Sequence, residues 1–302
     1  MGSGHPPNGS RAGCGVPARK SLGLTIALTA IIMMVEVAGG IWANSLSLLS
    51  DAGHMLTDVL ALGMALFAVT VASFPATARK TYGYHRVEIL SALTNGVILV
   101  LIALAIFYEA SRRFAHPEPV EGGLVLAVAA VGLATNLAGM WVLSRSTENL
   151  NVRSARLHVA GDALSSAGVL LGGIVITLTS WYTIDSLLSF AIGVVILAGA
   201  WRILKETVDI LLESTPGDMC VDEVSRAIKG IRGIKEIHDL HIWSITSGMT
   251  ALSGHVILDT LALSESDDVL NRIKEMLRER FSIEHTTIQI ESESYTEVGE
   301  VH

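Results

Sequence analysis

Six long apolar runs dominate this sequence: Leu22–Ala43, Leu46–Phe74, Ile89–Arg112, Gly122–Leu143, Val152–Thr179 and Ile184–Leu204. Each reaches the roughly 20 residues that a helix needs to cross the hydrocarbon core of a bilayer. Hydrocarbon offers no partner to backbone N–H and C=O groups, so such runs must satisfy them internally, as helices. Charge agrees, because Asp, Glu, Lys and Arg make up only 17% of the chain, against about 25% in soluble domains. The expected body is an all-α membrane bundle of six helices over residues 21–212.

Basic residues give its orientation. Arg19 and Lys20 precede the first run, and Arg79, Lys80 and Arg86 lie between the second and third. Arg145, Arg153 and Arg156 stand at the junction of the fourth and fifth, and Arg202 and Lys205 close the sixth. The alternate loops, around Ala43–Asn44 and Ser180–Trp181, carry no Lys or Arg. The positive-inside rule then predicts cytoplasmic N- and C-termini. Arg112 and Arg113 are the discordant pair. Trp42, Trp181 and Tyr182 fall where an outer aromatic belt is expected. Residues 1–20, rich in Gly, Pro and Ser, are expected to be disordered. They do not read as a signal peptide, because the apolar run after them is long enough to stay in the membrane.

Beyond residue 212 the pattern changes. From Glu213 onward there are 17 acidic and 8 basic residues, a net −9, against 12 and 13 in the remainder. That acidity makes it a poor candidate for binding nucleic acid and suits cations. Val221, Val224, Ala227, Ile228 and Ile231 share one helical face, as do Val269, Ile273, Met276 and Leu277. Ile234–Ile245, Thr250–Asp259 and Thr286–Glu291 read as strands, with Thr246-Ser247-Gly248 as a turn. The order αββαβ predicts a small α+β domain over residues 213–292, followed by a flexible tail, 293–302. Cys14 and Cys220 form neither a disulfide framework nor a CxxC site.

The second and fifth runs carry ionisable groups in their middles. They read His54-Met-Leu-Thr-Asp58 and His158-Val-Ala-Gly-Asp162, each a His-x-x-x-Asp. That spacing puts imidazole and carboxylate on one helical face, one turn apart. Two such faces supply an N₂O₂ set suited to tetrahedral Zn²⁺, and ionisable groups at membrane depth are functional by default. Asp51, one turn before His54, is expected to hold a His or a neighbouring helix. Glu36, Asn95, Glu109 and Asn136 are expected to hydrogen-bond between helices.

Four stretches together make the sequence resemble the cation diffusion facilitator family, in its zinc-transporting branch: Ser47-Leu-Leu-Ser-Asp-Ala-Gly-His-Met-Leu-Thr-Asp58, Tyr82-Gly-Tyr-His-Arg-Val-Glu-Ile-Leu90, His158-x-x-x-Asp162 and His238-Asp-Leu-His-Ile-Trp243. The resemblance spans about Leu22 to Glu291. It implies a homodimer of six-helix transporter protomers in the cell inner membrane that exchange metal for protons, with Zn²⁺ as cargo and Cd²⁺ or Co²⁺ as alternatives. His54, Asp58, His158 and Asp162 would form the transport site. The C-terminal domain would be a cytoplasmic metal-binding dimerisation module, with His238, His255 and Glu291 as ligands and His285 as a weaker candidate. His241 is expected to be packed or to face a partner. His85, in the loop between the second and third runs, is a candidate for a relay ion. Arg86 and Glu213 would form a charge interlock where the dimer leaves the membrane. The His-rich loop of many relatives is missing from Ser144–Arg156.

Two further readings compete: a membrane metal sensor whose intramembrane site signals through the C-terminal domain, and a membrane metalloenzyme. A zinc hydrolase needs an open coordination position, which four strong ligands do not leave, and no HExxH or GxSxG is present. No Walker A motif is present, so ATP is not expected as the energy source.

Overall fold

The computed structural model describes residues 16–144, 150–259 and 263–292. Six helices come first: α1 (Val16–Ala43), α2 (Leu46–Ala72), α3 (Arg86–Ala115), α4 (Gly122–Ser144), α5 (Leu150–Thr179) and α6 (Thr183–Leu211). α7 (Val221–Lys229), β1 (Ile234–Thr246), β2 (Met249–Leu258), α8 (Leu263–Phe281) and β3 (His285–Glu291) follow. Five of the first six helices are long and apolar enough to cross a membrane, and α1 adds the shorter apolar stretch Thr29–Ala43. This is the expected six-helix body followed by αββαβ. α1 already begins at Val16, so the end of the stretch expected to be disordered is helical; residues 1–15 and the tail 293–302 lie outside the described residues. The chain divides into two compact units, Met1–Leu62 with Leu99–Leu197, and Gly63–Ile98 with Ala198–His302.

The first unit is built for a solvent of lipid. Leu101, Leu104, Leu164, Leu171 and Val195 are exposed, whereas Glu36, Asp51, Ser166 and Asp185 are buried. Water would select the reverse arrangement. Leu48, Val125, Val128, Val169 and Ile176 form a small apolar core among the helices. Tyr182 packs against that core rather than joining the exposed Trp42 and Trp181.

Two polar devices close the ends of these helices. The first is Asp185, in the first turn of α6 and 1% exposed. It accepts hydrogen bonds from Ser45 Oγ at 2.7 Å, Leu46 N at 2.6 Å, Ser47 N at 3.2 Å and Ser47 Oγ at 2.6 Å. One carboxylate thus satisfies two of the backbone donors that the start of α2 leaves open, Leu48 N being capped by Ser45 Oγ at 3.3 Å, and its charge suits that end of the helix dipole. The second device is Arg113, which donates to Asn44 O at 2.7 Å and Asn44 Oδ1 at 3.0 Å and pairs with Glu109 at 2.9 Å. Asn44 itself takes the left-handed conformation, φ +52, that ends α1. Arg112 pairs with Glu109 at 2.8 Å and with Glu118 at 3.1 Å. The pair that disagrees with the positive-inside rule is therefore neutralised locally by acids. Glu109 serves its own helix rather than bridging helices as expected.

In the second unit, Val224 and Ile228 of α7 and Val269, Ile273 and Leu277 of α8 cover one side of the sheet, and all five are buried. The strand order is β1-β2-β3. β1 and β2 are antiparallel, joined through Gly248 at φ +76, and β3 runs parallel to β2 after the α8 crossover. The β1–β2 register is irregular between His238 and His241, where Asp239 has φ +49.

Replacing Asp185 with Ala should strand the donors at the start of α2 and destabilise the protein by about 3 kcal/mol. Asp185→Asn should cost less. Thermal unfolding in detergent checks this; an unchanged melting temperature for Asp185→Ala would show that the clamp carries no stability.

Candidate metal centres

The first centre lies wholly within the first unit. α2 presents His54 and Asp58 from successive turns, and α5 presents His158 and Asp162 in the same way. His54 Nε2 lies 3.5 Å from Asp162 Oδ1, and His158 Nε2 lies 3.4 Å from Asp58 Oδ2 and 3.8 Å from Asp162 Oδ2. Each imidazole therefore meets a carboxylate of the other helix. Ligand atoms of His54, Asp58 and Asp162 all lie within 4.8 Å of one another; His158 joins through the carboxylates, its ring edge-on to His54 at 6.3 Å.

Two chemistries set different separations here. A charge-assisted hydrogen bond would sit at about 2.7–2.9 Å. Zn–N and Zn–O bonds of about 2.0–2.2 Å put neighbouring ligands of a tetrahedral ion about 3.3–3.5 Å apart. The cross-helix contacts, 3.4 and 3.5 Å, fit the second. Asp51 faces the neighbouring helix rather than a His: its oxygens accept from Ser165 Oγ at 2.6 Å and Ser166 Oγ at 3.4 Å, both on α5. His54 Nδ1 is buried with no hydrogen-bond partner among the described residues.

The second centre is in the C-terminal sheet. His238 and His255 stand opposite each other in the antiparallel register. β3 brings Glu291 alongside β2, and its side chain is 5% exposed. His238 Nε2 is 3.3 Å from Glu291 Oε2, and His255 Nδ1 is 3.0 Å from Glu291 Oε1. These three residues place ligand atoms within 4.8 Å, an N₂O set that fits Zn²⁺ with a fourth position to spare. Asp239, not singled out from the sequence, leans over the centre, 3.8 Å from His255 Nε2 and 2.9 Å from His241 Nε2. Of the two positions expected for it, packed or facing a partner, exposure removes the first: His241 is tied to Asp239 and 62% exposed.

His285 does not join this centre. It is exposed at the start of β3 opposite Ala251, whereas His255 pairs in register with Gln289. His85 sits in the turn before α3 and belongs to no metal-type cluster among the described residues. Arg86 Nη2 donates to Glu213 Oε1 at 2.9 Å. Two residues along α3, Glu88 Oε2 accepts from Thr246 Oγ1 at 2.7 Å, a second link that the sequence did not suggest.

A bundle of helices able to cross a membrane, with a His/Asp cluster between two of them, and a small α+β domain with a His/Glu cluster fit a membrane protein that handles cations. The family model for the cation efflux transmembrane domain matches residues 22–212, and that for the cation efflux protein cytoplasmic domain matches 216–293. The chain belongs to the cation efflux family. It is similar to the metal cation efflux system protein CzcD of Cupriavidus metallidurans, 41% identical over 96% of this chain and 90% of the relative. A cadmium, cobalt and zinc/H⁺–K⁺ antiporter of Bacillus subtilis is 42% identical, with 87% and 86% covered. The zinc transporter ZitB of Escherichia coli is 39% identical, with 87% and 84% covered. Among solved structures, the metal-bound C-terminal domain of the CzcD transporter of C. metallidurans matches 24% of this chain and 99% of its own, at 44% identity and a TM-score of 0.23.

Calorimetry on the full-length protein should resolve two classes of Zn²⁺ binding. His238→Ala combined with Glu291→Gln should remove one class and leave the other; a single class lost only with Asp162→Asn would show that the C-terminal centre does not bind.

Proposed function

We propose that the protein is a homodimeric, proton-coupled antiporter that exports divalent transition-metal ions, Zn²⁺ first and Cd²⁺ or Co²⁺ as alternatives, from the cytoplasm across the cell inner membrane. The observation that carries this reading is the crossed His/Asp contact between α2 and α5, at ligand-edge spacing, on helices able to cross a bilayer. His54, Asp58, His158 and Asp162 are the transport ligands. The relatives named as transporters and antiporters favour transport over sensing or catalysis. Both termini are cytoplasmic, in line with the basic residues. The domain over 213–292 dimerises and tunes transport through His238, His255 and Glu291.

Coupling follows from ligand chemistry. Metal needs neutral imidazole and ionised carboxylate, so binding displaces protons and acid weakens it. On the cytoplasmic side the site loads deprotonated, and on the acidic outer side reprotonation expels the ion. Affinity should fall as pH drops, by up to about tenfold per pH unit for each proton displaced. Zinc flux into proteoliposomes at a fixed zinc gradient should rise with the opposing proton gradient. Indifference to that gradient would reject coupling. Asp162→Ala should abolish flux in a protein that still folds; near-normal flux would remove Asp162 from the site.

Arg86 and Glu213 serve as the hinge contact between membrane helices and the C-terminal domain, supported by Glu88 and Thr246. The pair is exposed, 43% and 60%, and such a pair contributes under about 1 kcal/mol by itself. Its role is therefore expected in flux more than in stability. A double-mutant cycle with Arg86→Ala and Glu213→Ala should give non-additive flux changes; additivity would place the hinge elsewhere.

A further inference from the structure

Glu36 is 2% exposed, and its Oε2 is buried with no hydrogen-bond partner among the described residues. It lies on α1, about two turns from the helix end. Gly132 of α4 makes room for it: a Cβ there would stand 2.7 Å from Glu36 Oε1 and 3.5 Å from Ser166 Oγ. Glu36 is therefore a neighbour of Ser166, which donates to Asp51 and accepts from Asn136 Nδ2 at 3.2 Å. This group continues the transport site in one direction. Asp51 is one turn from His54, and Ser165 and Ser166 are one turn from Asp162, towards the end at which Asp185 clamps α2.

The two carboxyls differ in their donors. Both oxygens of Asp51 receive hydroxyl hydrogen bonds, from Ser165 and Ser166, which suits an anion. Glu36 Oε2 receives none. The charged groups that act on Glu36 are Asp51 on α2 and Asp162 on α5, both acids; α4 contributes the uncharged Gly132 and Asn136. A further anion here would be desolvated, with neither donor nor counter-charge among the described residues. A carboxylic acid would be neutral and fit.

We propose that Glu36 is a proton-binding site coupled to cargo, distinct from the metal ligands. With the transport site empty, Glu36 holds a proton. When a divalent cation settles between Asp58 and Asp162, the positive charge favours ionised Glu36, its O–H bond breaks and the proton leaves to solvent. When the ion departs, a proton from the outer side restores the acid. This inference rests on the transport reading and adds one proton to those that the ligands release.

The test counts protons. Zinc binding to the full-length protein, with the C-terminal centre silenced by His238→Ala and Glu291→Gln, is measured by calorimetry in buffers of different ionisation enthalpy. Glu36→Gln should bind as many zinc ions as its parent while releasing about one proton fewer per ion near neutral pH. Equal proton release would overturn the proposal. One zinc fewer would overturn it too, making Glu36 a metal ligand. A parent that releases no protons would overturn the antiport reading and this inference together. Should Glu36→Gln fail to assemble, infrared difference spectra of the parent decide. A carboxylic-acid band lost on zinc addition, and shifted by Glu36→Asp, supports the assignment; no such band rejects it.

Discussion

A carboxylate buried among helices in hydrocarbon has nothing to solvate it except what neighbouring helices supply. Much of the membrane unit follows from that constraint. Asp185 solves it with the start of α2, taking two backbone and two hydroxyl donors. Asp51 solves it with two serines of α5. Asp58 and Asp162 face imidazoles at distances too long for a good hydrogen bond, which leaves them the least settled of these acids. Two kinds of acid are thereby separated by donor type: those that hold helices together have fixed N–H and O–H partners, and those proposed to meet cargo have titratable ones.

The same contrast explains what could be read from the sequence. His-x-x-x-Asp was legible because i, i+4 spacing is a local property of any helix, and its repetition in two spans pairs the helices. The αββαβ order was legible from periodicity alone. Helix ends were less so. The sixth run loses its apolar character at Leu204, yet α6 continues to Leu211, since a helix that has left lipid persists with charged residues on its surface. α3 likewise begins at Arg86 rather than Ile89.

Contacts that depend on which elements become neighbours were hidden. Nothing local marks Asp185 as the cap of a helix 140 residues away. Asp239 was missed because it owes its position to a register irregularity, and the alternation of a regular strand points it away from His238. Arg112 and Arg113 looked anomalous only while bases were counted without acids; Glu109, four residues before Arg113, was the signal available in the sequence.

The order of strands in the C-terminal sheet has a consequence for how the protein is made. β1 and β2 form a local hairpin, and His238 and His255 can meet as soon as both have emerged from the ribosome. Glu291 arrives only with β3, after α8 has crossed over to lay that strand parallel to β2. Until then the two imidazoles lack their shared carboxylate, and a nascent chain would grip metal weakly. By that stage all six N-terminal helices have already been synthesised. On the proposed reading, a tight ion at this centre would mark a chain translated through β3, and a ribosome stalled before β3 would leave a product that holds little zinc.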